Sequence, residues 1–363
     1  MLYRRENPHG GDIYRRPVRL DFSVNTNPLG TPPAVVRAVE ESAGELDRYP
    51  DPSCRALVGA LAEYEDVPER FILCGGGAAE LIFSYCAALR PRSALELAPT
   101  FSEYAAALQA VGCRVERYAL TEEDGFGLTE RFLEIAQTTD CEAIFLCTPN
   151  NPTGRLADPD LLAAVCGICR RRGLRLFVDE CFLELSDGGR GASLAGWLER
   201  FPGLFLLRAF TKSYAMAGLR LGYCLCADGA LLEAMGALTQ PWNVSLPAQA
   251  AGLAALGERD WPEKARDLIR RERPRLAAGL AGMGLRVCPS DANYLLLQSP
   301  VELAAPLLER GILVRSCANY PGLGPGWYRA AVRRPEENEA LLGALAEVLR
   351  DCSPSAGYPD RTQ

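Results

Sequence analysis

Residues 143–154 read AIFLCTPNNPTG, residues 174–180 read LRLFVDE, and residues 204–212 read LFLLRAFTK. Each opens with a short, continuous apolar run, as a strand buried on both faces requires. Each then ends abruptly in polar residues: Asn150, Asn151 and Gly154 after the first, Asp179 and Glu180 after the second, Thr211 and Lys212 after the third. Ligands of open α/β sheets sit beyond the carboxyl ends of the strands. An amide, a carboxylate and a lysine are therefore predicted to meet at one rim.

Working outward, the same alternation extends from Leu57 to about Gly257. FILC (71–74) precedes a predicted helix over Ala78–Leu89, and ALEL (94–97) one over Ser102–Val111. CRVERYAL precedes a helix around Thr129–Gln137, and another is predicted over Asp158–Arg172. Strands alternating with helices imply a mostly parallel sheet covered on both faces. Beyond Trp261 the pattern changes to a long charged amphipathic helix. Short strands at LRVC, NYLLL, ILVR and WYRAAV follow, then a helix over Glu336–Leu349. The predicted organisation is an α/β fold in two domains. Residues 1–45 form an N-terminal segment joining the small domain, 46–260 the large domain, 261–352 a small C-terminal α+β domain, and 353–363 a polar tail.

Composition narrows the function. The chain has 363 residues, 48% of them hydrophobic, and a net charge of -7, so it has no excess of cations with which to neutralise a nucleic-acid backbone. No run approaches a membrane span, and the N-terminus MLYRRENPHGG has no apolar core of a secretory signal, which predicts a cytoplasmic protein without membrane partners. The fourteen cysteines fall in strand-like and helix-like runs, and Cys166-Gly-Ile-Cys169 has no second pair nearby. They read as reduced core residues, not as a metal or disulfide framework.

The chain holds only two lysines. Lys264 lies among the charges of a solvated helix, whereas Lys212 follows an apolar strand in a chain that otherwise takes its positive charge from arginine. Arginine cannot stand in where an amine must lose its proton and attack a carbonyl. Gly75-Gly76-Gly77 lies between a strand and a helix, where backbone N–H groups and the helix dipole can hold an anion. Read as a dinucleotide fingerprint it fails, because Glu80 stands where the third glycine belongs. Arg220, in GLRLGY, adds a cation just after the lysine.

CTPNNPTG, DECF, TKSYAMAGLRLGY and the glycine turn, in this order and spacing, resemble the class I/II aminotransferase superfamily, whose members use pyridoxal 5'-phosphate (PLP). HGG (9–11), DFSVNTNPLG (21–30), RYPD around Tyr49 and RSCANYPGL (315–323) resemble the threonine-phosphate decarboxylase branch, which is close to the histidinol-phosphate aminotransferases. The resemblance runs nearly from end to end. It implies the PLP-dependent fold type I and a role for each matching position. Lys212 becomes the Schiff-base lysine, Asp179 the partner of the pyridine nitrogen, and Asn151 the ligand of the phenolic oxygen. Phe101 stacks on the ring. Gly76, Gly77, Ala78, Thr211 and Arg220 surround the cofactor phosphate, which Tyr49 reaches from the neighbouring subunit of a homodimer. Arg329 binds the substrate carboxylate. Arg315, Arg333, His9, Gly10, Asn27 and Asn151 complete a site for a phosphorylated amino acid.

The activity so implied is decarboxylation of L-threonine O-3-phosphate to 1-aminopropan-2-yl phosphate, in cobalamin biosynthesis. A phosphate-recognising aminotransferase acting on histidinol phosphate is the alternative, and a PLP-binding protein without catalysis is a third reading. Three departures bear on the cofactor. Phe182 stands where most aminotransferases have tyrosine, Ala209 replaces a hydroxyl residue, and Ala78-Ala79 are less polar than usual. Each missing hydrogen bond is worth roughly 0.5–1.5 kcal/mol, so looser cofactor binding is expected.

Overall fold

The computed structural model describes residues 9–352; the predicted tail at 353–363 lies outside the described residues. The chain begins with strand β1 (Leu20–Asp21), helices α1 (Pro33–Ser42) and α2 (Arg55–Glu65), and strand β2 (Ile72–Gly75). Then come α3 (Ala78–Leu89), β3 (Ser93–Ala98), α4 (Glu103–Ala110), β4 (Arg114–Ala119), α5 (Arg131–Thr138) and β5 (Ala143–Cys147). These are followed by α6 (Pro159–Arg172), β6 (Arg175–Asp179), β7 (Leu204–Ala209), the short α7 (Phe210–Ser213), β8 (Gly222–Cys226), α8 (Gly229–Leu238) and α9 (Leu246–Gly257). The second region comprises α10 (Trp261–Gly282), β9 (Arg286–Val287), β10 (Tyr294–Gln298), α11 (Ala304–Glu309), β11 (Ile312–Leu313), β12 (Arg315–Ser316), β13 (Trp327–Ala331) and α12 (Pro335–Cys352).

Local chemistry explains the helix ends. Asp158 caps α6 by accepting the N–H groups of Asp160 and Leu161, Pro159 opens the helix, and Arg170–Arg172 fill the last turn before Gly173 at φ 70°. Gly77 caps α3 at φ +96°, a backbone conformation that side chains other than glycine resist.

Seven strands form the large sheet in the order β2-β8-β7-β6-β5-β3-β4. All pairings are parallel except those of β8 with β2 and β7. The order reverses between β5 and β3, so the connections leaving their carboxyl ends part and leave a crevice outside them. Register is held by an aromatic ladder. Phe145, Phe177 and Phe205 are partners on β5, β6 and β7. Their rings stack at 4.7 and 5.1 Å, and all three are 0% exposed. Each buried phenylalanine contributes on the order of 1.5–3 kcal/mol.

The smaller sheet, β12-β13-β10-β9, is antiparallel and packs its own core between α10 and α12. The N-terminal segment divides between the two regions. β1 pairs with β11, and Phe22 enters the small core. α1 instead packs on α9, with Val35 in the large core. Within the predicted 1–45 segment, β1 and Phe22 therefore lie with the small region, whereas α1 lies with the large one. The thirteen cysteines of the described core are free and buried. Among the described residues no helix is long and apolar enough to cross a membrane.

Candidate active site

A cavity of about 390 Å³ opens where the crevice meets the small domain. The large sheet supplies its floor through residues that directly follow, or end, β3, β5, β6 and β7: Phe101, Asn151, Asp179 and Lys212. Ala78 and Ala79 contribute from the start of α3, Arg315 and Arg329 from the small sheet, and His9, Gly10, Ser23 and Val24 from the N-terminal segment. Three regions of the chain thus enclose one space.

Lys212 lines the wall half-buried, with its Nζ 5.1 Å from the centre of the Phe182 ring. Desolvation is the main influence on the amine, and the nearby Arg329 guanidinium adds to it; together they lower its pKa to about 8. Asp179 is 6% exposed. Its Oδ1 accepts the N–H of Cys181 at 2.9 Å and its Oδ2 the hydroxyl of Tyr104 at 2.6 Å. Burial pushes its carboxyl up, and these donors together with Lys212 pull it down.

Arg329 is buried and held from two sides, donating to Asn151 Oδ1 and, at 2.6 Å, to the carbonyl of Ser23. Arg315 lies 5.3 Å from the Tyr320 ring centre and donates to Asn319 Oδ1 at 2.8 Å. His9 meets Glu103 at 2.9 Å, and its ring centre lies 6.0 Å from that of Phe101.

At the other end of the cavity, Arg220 adopts φ 56° and lays its guanidinium against Gly77, where a Cβ would come within 2.6 Å of Nη2. Gly77 is therefore required twice, for its backbone and for this contact. A cation at a helix N-terminus opposes the dipole. An anion placed between them is attracted by both, and this is the environment a phosphate requires. A lysine amine poised near neutrality, a buried carboxylate and an anion cradle together fit PLP.

Three sequence predictions are corrected. Asn27 does not reach the cavity: its Nδ2 donates to Ser213 O at 2.7 Å and its Oδ1 accepts from Leu29 N–H, tying the N-terminal segment to the lysine's own helix. Arg333 turns away, bound to Glu337 at 2.9 Å and to the carbonyl of Asp21. The Gly76 amide is already taken by the carboxylate of Glu80, which also receives Asn243. Tyr49, expected to act from a neighbouring subunit, is 77% exposed, stacks on Trp242 at 4.4 Å and does not line this chain's own cavity. Conversely, Tyr104, Glu103, Ser23 and Tyr320 belong to the site and were not predicted.

The chain belongs to the class I and II aminotransferase family, whose model matches residues 18–345. Members of this family are PLP enzymes. Among its relatives, the threonine-phosphate decarboxylase of Salmonella typhimurium is 42% identical over 93% of each chain. A histidinol-phosphate aminotransferase of Desulfitobacterium hafniense is 35% identical over 92% of each. The crystal structure of the histidinol-phosphate aminotransferase from Clostridium acetobutylicum superposes with a TM-score of 0.84 at 28% identity, over 92% of this chain and 99% of the other.

Proposed function

We propose that this enzyme is a PLP-dependent carboxy-lyase that converts L-threonine O-3-phosphate to 1-aminopropan-2-yl phosphate and carbon dioxide, a step that serves cobalamin biosynthesis. The observation that carries the reading is one cavity joining the low-pKa amine of Lys212 and buried Asp179 to three arginines, Arg220, Arg315 and Arg329. Its chain is most alike, among the relatives above, to a threonine-phosphate decarboxylase.

Lys212, Asp179, Asn151, Phe101, Arg220 and the start of α3 at Gly77-Ala78 are the groups that hold the cofactor. When bound, PLP supplies an aldehyde for the substrate amine and a protonated ring that accepts the electron pair left at Cα. Asp179 holds the proton on the ring nitrogen. Lys212 Nζ, neutral in part near pH 8, would hold the cofactor aldehyde in the resting enzyme; once free it would take a proton from the substrate ammonium and, as an ammonium itself, give that proton to Cα in place of the departed carboxylate. Arg329 receives the substrate carboxylate. Because Asn151 and Ser23 fix its guanidinium, they also fix the direction in which that carboxylate lies, and this direction selects the bond that breaks. Arg315 and His9 take the substrate phosphate, each while balancing a neighbouring acceptor, Asn319 or Glu103.

The working unit is a cytoplasmic homodimer in which Tyr49 enters the partner's cavity. Exposed Tyr49 stacks on exposed Trp242 and shares a surface groove with Leu253, an apolar exposure that suits such a contact.

The test is carbon dioxide release by PLP-loaded protein given L-threonine O-3-phosphate without any keto acid. Gas with an amine phosphate product is expected, and Lys212→Ala abolishes it. Glutamate formed from histidinol phosphate and 2-oxoglutarate, with no gas, would replace this reading by the aminotransferase one.

A further inference from the structure

Asp179 faces a conflict. It must stay ionised to hold a proton on the ring nitrogen, yet it is enclosed, and burial favours its neutral form. The titratable groups around it come from five elements: Tyr104 of α4, Cys147 at the end of β5, Cys181 just past β6, Lys212 of α7, and Tyr294 of β10, whose phenol burial keeps neutral. Burial keeps both thiols neutral, so neither adds a charge. Lys212 is given over to the cofactor. The donors that remain on the carboxylate are the Cys181 backbone N–H, with its thiol in reach, and the Tyr104 hydroxyl at 2.6 Å.

Tyr104 is 0% exposed. Its ring lies edge-on to Phe101 at 5.6 Å and tilted against Phe145 and Phe177 at 6.0 and 5.7 Å. A phenylalanine would serve all three contacts. A hydroxyl sunk in such a cluster is costly without a partner, and its partner is Asp179. Burial and the Asp179 charge push the phenol far above its ordinary range, so it stays a donor at every working pH.

The geometry points to Tyr104 as a positioning residue that keeps Asp179 ionised and fixes its free lone pairs toward the cofactor ring. It also ties Asp179 to Phe101, the residue against the ring's face, through one side chain. The inference rests on the cofactor reading above.

The test is Tyr104→Phe in the PLP-loaded enzyme, with its fold checked by denaturation. Without substrate, the pH midpoint at which the lysine-linked cofactor changes colour is expected to rise by about one unit, because a ring carrying less positive charge repels that proton less. With substrate, kcat is expected to fall roughly tenfold to a hundredfold while KM stays within about twofold, as for one hydrogen bond to a charged group. In an Asp179→Asn background, Tyr104→Phe is expected to move neither quantity further. A folded Tyr104→Phe with an unchanged midpoint overturns the inference, even if kcat falls. An additional shift in the Asp179→Asn background overturns it as well. Absence of a lysine-linked band in the unmodified enzyme is a different failure, because it removes the cofactor reading itself.

Discussion

The lowered basicity of Lys212 can be measured in the cofactor-free protein, and the two-lysine composition makes the measurement internally controlled. Lys264 is exposed on α10, and its pairing with Asp260 at 2.5 Å raises its pKa. Lys212 is lowered from 10.5 to about 8. At pH 7.5 an amine of pKa about 8 is roughly one-quarter neutral, whereas one of 10.5 is neutral to about one part in a thousand. Only the neutral amine attacks an aldehyde, so Lys212 is expected to react about two hundred times more readily per exposed molecule than an ordinary lysine. Limited reductive methylation with formaldehyde between pH 6 and 10, followed by peptide mass spectrometry, reads both lysines in one sample. The midpoint of labelling, not its amount, is the observable, so differences in access cancel. Lys212 is expected to reach half-labelling near pH 8, whereas labelling of Lys264 is still rising at the top of the range. Midpoints lying together would show that burial and Arg329 do not lower the Lys212 amine, and the proposed nucleophile would lose its physical basis.

Three further outcomes are expected. Arg315→Gln raises KM for the phosphorylated substrate by about tenfold to a hundredfold with a smaller effect on kcat, because it removes charge-assisted bonds worth roughly 1.5–3 kcal/mol; steady-state kinetics read this. Asn27→Ala lowers stability by about 1–3 kcal/mol in urea denaturation, because it strands the Ser213 carbonyl, and leaves KM nearly unchanged. Arg208→Met is expected to cost about 3–5 kcal/mol, because it leaves Glu180, otherwise paired at 2.8 Å and enclosed, as an uncompensated buried charge.

Much of this was legible in the sequence, and the reason is local. An apolar run ending in Asn151, Asp179 or Lys212 carries both the strand and its rim residue within a few positions, so no long-range information is needed. The helix over residues 78–89 was equally plain, between its glycine cap and the strand that follows. α9 was not legible, because its alanines and glycines give no amphipathic stripe; it is buried by close approach, with Gly252 against Leu57 and Leu221. Asn27 and Arg333 misled for another reason. Whether a polar side chain faces a cavity or ties down backbone is decided by tertiary packing, which leaves no periodic trace. Tyr104 was hidden because an aromatic residue in a helix reads as core. It is core, apart from one oxygen atom.

The ladder of Phe145, Phe177 and Phe205 has a consequence for chemistry as well as for stability. A one-residue slip of β5, β6 or β7 against its neighbours would turn a phenylalanine to the opposite face and displace the residue at that strand's end by about 3.3 Å. Asn151, Asp179 and Lys212 are carried by those same three strands. The stacked rings therefore act as a vernier, keeping three separately encoded groups in common alignment from beneath, at a point none of the reactants touches.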